Sequence, residues 1–377
     1  MKMMYLIGKI RDEFTLFFTD TRRLIIILLL IFWYACSWRE IVRFPYLPIK
    51  NNLMIGQNVI GSLSMTIDPE IPLNSPVGYD SQYFWALSLD PSLRDSTVIA
   101  GMGASAAYRS QRILLPFLTW CIIRDPSHIL FGLWFWSFVG IILGAIGVIR
   151  LCKYFNIYSI GPIAFFIFSP GMVIASVHPM SDALASGLVL LAWSYWVRRQ
   201  TWICAFIFAL ACLTREFSVF MIGILVSYTV LIDKLNVLAR VLPLLISIIP
   251  AILWQYYIYL QLGSSGSIIT NNYSFPFVGT IDSWNSYIHH RVDLEDFLAA
   301  VFIHLSCFAA LILWYKSWKQ ELIYVLIASA AFISICGQSI MEDNFGSSRI
   351  AILYSIILSM ALFSKNENHF KKEPVKT

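Results

Sequence analysis

Charge is what this sequence has least of: Asp, Glu, Lys and Arg make up 13% of 377 residues, against 58% hydrophobic side chains. A water-soluble domain needs a more polar surface than that, so the balance implies a polytopic membrane protein. The motifs of soluble catalysis are missing as well: there is no Walker loop, Rossmann glycine pattern, zinc-ligand spacing or nucleophile elbow. The seven cysteines form no Cys-x-x-Cys pair and mostly lie inside apolar runs, where the thiol behaves as a small hydrophobe. Cys36 follows a stretch too polar for a signal peptide, so an uncleaved first span is expected. The net charge of +5 collects into no basic stripe, which argues against nucleic acid as a partner. No internal repeat, low-complexity tract or separate soluble domain is evident.

What is present is a series of apolar runs. Residues 1–23 mix Lys2, Lys9 and Arg11 with large apolar residues and predict a cytoplasmic interfacial helix. Candidate spans follow at 24–38, 128–149, 157–176, 181–197, 201–213, 217–232, 237–260, 297–315, 322–340 and 350–363, several of them shorter than the ~20 residues that cross a bilayer comfortably. The run 113–123 is ambiguous, because a full crossing there reverses everything after it. Charge decides. With 113–123 only dipping into the outer leaflet, Arg150, Lys153, Arg198, Arg199, Lys234, Arg240, Lys316, Lys319, Lys365, Lys371, Lys372 and Lys376 are cytoplasmic, and only Arg215, Arg291 and Arg349 face out. Arg22 and Arg23, before the first span, agree. The expected architecture is all-α, a single domain over 24–363 with ten spans, cytoplasmic termini, a first outer loop at 39–112 and a basic tail at 364–377.

This topology gathers the unusual polar residues on the outer side. "GYDSQYF" places Asp80 after a turn-forming Gly, with Tyr79, Gln82 and Tyr83 beside it. Asp80 there is either an ordinary helix cap or a group with chemistry to do. Asp90 and Asp95, in "DPSLRD", read as a turn and a helix start. Arg109 and Arg112 stand three apart, a spacing that puts both on one face of a helix, as interfacial anchors or as a phosphate clamp. His178 and Asp182 flank the helix break at Pro179, where Asp182 also suits a cap. Arg215 and Glu216 interrupt a long apolar stretch and read equally as a local structural pair or a substrate-facing one. "MEDNFGSSR" adds Glu342, Asp343 and Arg349 before the last apolar run.

The order of "GYDSQYFWALSLDP", "AYRSQRILLPFLTW", "HPMSDALASGLVLLAW" and "LACLTRE" resembles bacterial integral-membrane glycosyltransferases of the GT-C superfamily, in the mannosyltransferase-like branch linked to cell-surface glycopolymers. The resemblance covers roughly residues 24–220. It implies a GT-C-like fold in the cell (inner) membrane, with interfacial helices in the first outer loop. It also implies a polyprenyl-phosphate-sugar donor, a glycan or lipid-linked acceptor, contact with membrane lipid, and Asp80 as catalytic base in an inverting displacement. Tyr79, Gln82, Tyr83, Arg109, Arg112, His178, Asp182, Arg215, Glu216 and Arg349 are then candidate substrate-binding residues. Some relatives use a divalent metal held by an acidic pair, but no Asp-x-Asp stands beside Asp80, so no cofactor is expected. A transporter or flippase would carry internal repeats and matched broken helices, and a glycopolymer polymerase would place its arginines in a late outer loop. Both remain alternatives.

Overall fold

A computed structural model of the chain describes residues 49–264, 275–276, 278–289, 294–314, 317, 319–336 and 349–364. The expected interfacial helix, the first span, Glu342, Asp343 and the basic tail from 365 lie outside the described residues. Among the described residues the chain is mostly helical, with one short parallel pair of strands, β1 (Ile55–Gly56) and β2 (Leu73–Ser75).

Among the described residues, the first expected outer loop contains four short α-helices, α1 (Gly61–Ile67), α2 (Ser81–Leu89), α3 (Ser96–Met102) and α4 (Ala106–Arg109). Asp95 caps α3 by accepting from the Thr97 and Val98 N–H groups, and Asp90 closes the preceding turn by accepting from those of Ser92, Arg94 and Asp95. Then comes α5 (Leu114–Ile122), nine residues long.

The apolar runs become α6 (Ile129–Tyr154), α7 (Gly161–Ile167), α8 (Pro170–Val177), α9 (Ser181–Trp196), α10 (Thr201–Thr214), α11 (Ser218–Tyr228), α12 (Val237–Ile246) and α13 (Ile249–Leu262). A π-helical turn, Thr229–Asp233, extends α11. Beyond them lie α14 (Val278–Ile288), in the expected loop 261–296, and α15 (Leu294–Trp314), α16 (Glu321–Ser334) and α17 (Ile352–Phe363). Among the described residues two stretches, Pro126–Tyr154 (29 residues) and Val237–Leu262 (26 residues), are long and apolar enough to cross a membrane. The other apolar helices are shorter. The run expected at 157–176 is broken, because Pro170 opens α8: proline lacks the N–H that a first helical turn leaves unbonded, and it disfavours helix in the residue before it.

The described residues form two compact units, one within 49–151 and 170–264 and the other within 152–169 and 275–364. In the first, α9 is buried along almost its whole length and packs on α10. On α6, a Cβ added at Gly140 would meet the Leu184 backbone at 2.5 Å and one at Gly147 the Leu190 backbone at 2.6 Å, so α6 approaches α9 nearly backbone to backbone. Both sequences advance together along this contact. The two helices therefore run parallel, and their N-terminal ends share one end of the unit. The far face of α6 carries Phe131, Phe135, Phe138, Ile142, Ile146 and Ile149, all exposed and spaced three or four apart.

In the second unit α17 packs on α7 and α16, and α15 packs on α16. A Cβ at Gly161 would lie 2.2 Å from the Phe363 ring, so glycine is what lets α17 approach α7. Tyr354 donates to Ser306 Oγ at 3.2 Å within this core.

Candidate functional site

The segment before α2 is held by its own backbone demands. Gly78 has φ +72, and a Cβ there would sit 2.4 Å from the Gly56 nitrogen, so only glycine satisfies both the turn and the close approach to β1. Gln82 ties the same turn down: its Oε1 accepts from Gly56 N at 2.9 Å and its Nε2 donates to Val77 O at 2.9 Å. The Tyr79 N–H donates to Met54 O at 2.9 Å. Ser81 and His178 grip one more strand of chain, Ser81 Oγ donating to Leu53 O at 2.6 Å and His178 Nδ1 lying 3.2 Å from Asn52 O. A rigid collar thus surrounds Asp80.

Asp80 occupies the capping position of α2, yet its backbone is already helical and its side chain makes no capping hydrogen bond. The carboxylate points instead at two guanidiniums. Oδ1 accepts from Arg109 Nη1 at 2.5 Å, and Oδ2 lies 3.6 Å from Arg112 Nη1. The side chain of Asp80 is 12% exposed, that of Arg109 22% and that of Arg112 3%.

The two arginines do not share a helix face, contrary to what their spacing suggests. α4 ends at Arg109, and Arg112 lies in the connection before α5. A helix running through 106–122 would put Pro116 in its interior, where it has no N–H for the Arg112 carbonyl; starting a new helix at Leu114 places Pro116 in a first turn instead. Trp254, on α13, fixes the break by donating from Nε1 to Ser110 O at 2.7 Å, and it stacks on Tyr257, whose hydroxyl donates to Ser92 O at 2.7 Å. Tyr108 orders both guanidiniums: its ring lies 5.2 Å from that of Arg109 and 5.1 Å from that of Arg112, and its hydroxyl accepts from Arg112 Nη2 at 2.8 Å. Tyr83 supports Arg109 from another side at 4.7 Å. Tyr108, Trp254 and Tyr257 carry no sequence signal beyond the four-residue spacing of Tyr108 from Arg112.

Arg215 and Glu216 turn to different partners rather than to each other alone. Glu216 grips Arg112 with both oxygens, accepting from Nη2 at 2.6 Å and from Nε at 3.0 Å. Arg215 donates to Asp182 on α9, whose side chain is fully buried, so Asp182 serves as a partner for a cation and not as a cap. Partial burial opposes ionisation of Glu216, whose side chain is 39% exposed, but the charge and hydrogen bonds of Arg112, aided by Arg215, outweigh it and pull the carboxyl down to about 2. Burial likewise opposes the charge on Arg112, and Glu216, Tyr108 and Asp80 overcome it, holding the guanidinium well above its usual value. Arg349 is buried near the start of α17, in the second unit.

The first unit therefore brings together Asp80, Tyr83, Arg109, Arg112, Arg215, Glu216 and Asp182 through loops that meet at one end of α9 and α10. Among the described residues no three His, Cys, Asp or Glu side chains are grouped as metal ligands. The carboxylates face guanidiniums, an arrangement suited to exchanging one anion for another. Neither a family model, nor a curated protein, nor a solved structure matches the chain.

Proposed function

We propose that the protein is a multi-pass membrane glycosyltransferase that moves a sugar from a polyprenyl-phosphate donor to an acceptor hydroxyl at the outer face of the cell membrane. One observation carries this reading: Asp80, placed where a helix cap belongs, forgoes capping and stands between two arginines on aromatic supports. A carboxylate beside fork-shaped cations combines a proton acceptor with a phosphate site. In the reaction, Asp80 takes the proton of the acceptor hydroxyl while that oxygen bonds to the anomeric carbon. The bond from that carbon to the phosphate oxygen breaks, and the phosphate leaves with the electron pair, its charge met by Arg109 and Arg112. Attack opposite the leaving group inverts the anomeric centre.

The exposed apolar stripe on α6 supports the membrane setting. From Phe131 to Ile149 it covers about 27 Å at 1.5 Å per residue, close to the ~30 Å hydrocarbon core. Large aromatic and aliphatic side chains facing water over that length would drive aggregation. Facing lipid, they need no partner.

The test is sugar transfer by the purified protein in lipid, supplied with polyprenyl-phosphate hexoses and with glycan acceptors taken from the cell surface. Product detected by mass spectrometry, and lost with Asp80→Asn, is the expected result. Movement of intact donor across the bilayer without transfer would instead make the protein a flippase.

A further inference from the structure

We infer that Asp80 is stored in the free protein as an ion pair with Arg109 and Arg112, and that the donor's phosphate releases it by taking its place on the two guanidiniums. This rests on the glycosyltransferase reading and adds an order to it: the base becomes available only after the phosphate has arrived.

The ion pairs around Asp80 call for such an exchange. Arg109 and Arg112 face Asp80 and Glu216, and Arg215 faces Asp182, so each of these three guanidiniums already has a carboxylate partner. A phosphate entering beside two carboxylates that stay put would meet repulsion from both. One carboxylate has to yield, and geometry says which. Glu216 holds Arg112 through two parallel hydrogen bonds of 2.6 and 3.0 Å, whereas Asp80 accepts from Arg109 through Oδ1 at 2.5 Å and reaches Arg112 with Oδ2 only at 3.6 Å, beyond hydrogen-bond distance. Arg112 Nη1, the atom nearest Asp80, is buried and makes no hydrogen bond, and the same holds for Arg109 Nε. A desolvated Arg112 N–H donor 3.6 Å from Asp80 leaves the anion site incomplete, since buried guanidinium donors without acceptors are costly. Tyr108 lies against both guanidiniums and Tyr83 against that of Arg109, contacts that do not involve the carboxylate and hold the arginines when it departs.

The exchange also has a chemical use. A carboxylate whose lone pairs are occupied by guanidinium protons is a poor base. Acceptor alone, or water, therefore finds Asp80 occupied, and the general base is delivered together with the leaving group it serves.

Equilibrium binding of farnesyl phosphate, a sugar-free polyprenyl phosphate, to the full-length protein in nanodiscs tests this without any transfer step. Asp80→Asn removes the competing charge and should tighten binding about tenfold. Glu216→Gln should leave the affinity unchanged or weaken it. Inorganic phosphate should show the same Asp80→Asn gain at lower affinity, which assigns the effect to the phosphate group, and farnesol should show none. In wild-type protein labelled with 13C-carboxyl aspartate, farnesyl phosphate should shift one carboxylate infrared band that Asp80→Glu eliminates, a readout that survives if the Asn variant fails to fold. Binding to wild type with neither tightening in Asp80→Asn nor a band shift overturns the exchange and leaves the glycosyltransferase reading standing. Absence of farnesyl phosphate binding to wild type overturns both.

Discussion

At the scale of single residues the carboxylates divide by what they touch. Asp90 and Asp95 accept backbone N–H groups and belong to the turn, while Asp80, Glu216 and Asp182 each face a guanidinium. Asn is as good a cap as Asp, so Asp80→Asn separates the roles cleanly. With Asp80 as base, transfer should fall about 10²–10⁴-fold in a steady-state assay. Unchanged turnover would return Asp80 to a structural role. Glu216 makes a second prediction through its lowered carboxyl. A group depressed on folding adds stability above its unfolded value, 4.5, and that stability is lost as the pH falls through the folded value of about 2. The thermal midpoint of Glu216→Gln should therefore lie below that of wild type by a constant amount above pH 5, and the two should converge between about pH 4.5 and 2. A gap that opened or closed near pH 6 would point to a different titrating group.

At the scale of elements, the packing of α6 on α9 allows no side chain at its crossing. A Cβ at Gly187 would lie 2.0 Å from the Gly140 carbonyl oxygen, and neither backbone can move aside locally. Gly187→Ala should cost at least the ~1–3 kcal/mol of ordinary overpacking and lower the thermal midpoint in detergent. Gly223, inside α11, meets nothing within 4 Å, and Gly223→Ala should be neutral or stabilising by up to about 1 kcal/mol. Equal behaviour of the two variants would mean that α6 and α9 are not in backbone contact. None of this close approach was legible beforehand, because glycines in an apolar run look alike until the partner helix is known. The helices themselves were legible, since long apolar runs ended by Pro179 or by charge leave few other conformations. The break between Arg109 and α5 was not, because the spacing rule that puts Arg109 and Arg112 on one helix face ignores Pro116 and the indole of Trp254. Arg112 and Glu216 lie 104 residues apart, so their pairing had no local trace.

At the scale of the whole molecule the question is which end of the helices faces which side of the membrane. Charging the α6 stripe tests the setting first: Ile142→Lys, near its middle, should lower membrane insertion by roughly 2.5–3.5 kcal/mol, read as the inserted fraction in a glycosylation-reporter assay. A stripe facing water would accept the lysine without loss.

Orientation turns on α5. At nine residues it rises about 13 Å, under half the hydrocarbon core, and it packs on α2 and α10. The arginine cluster before α5 joins Glu216 at the end of α10, and α6 after it starts at the end shared with the start of α9. Asp182, two residues into α9, meets Arg215 there too, so both ends of α5 emerge on one side of the unit. A short helix that leaves and returns on one side does not cross, and on the multi-pass reading proposed above, Arg150, Arg198, Arg199, Lys234 and Arg240 among the far loops of the first unit predict that the shared side faces out. Single cysteines at Ser75, Asn271 and Asn344, introduced after replacing the seven native ones, should all react with an impermeant maleimide added to intact cells, while one at Lys153 should stay protected. Labelling at Ser75 with protection at Asn271 and Asn344 would mean that the chain crosses between residues 113 and 123, and would place Glu216 and Arg112 on opposite sides of the bilayer, which their two hydrogen bonds forbid.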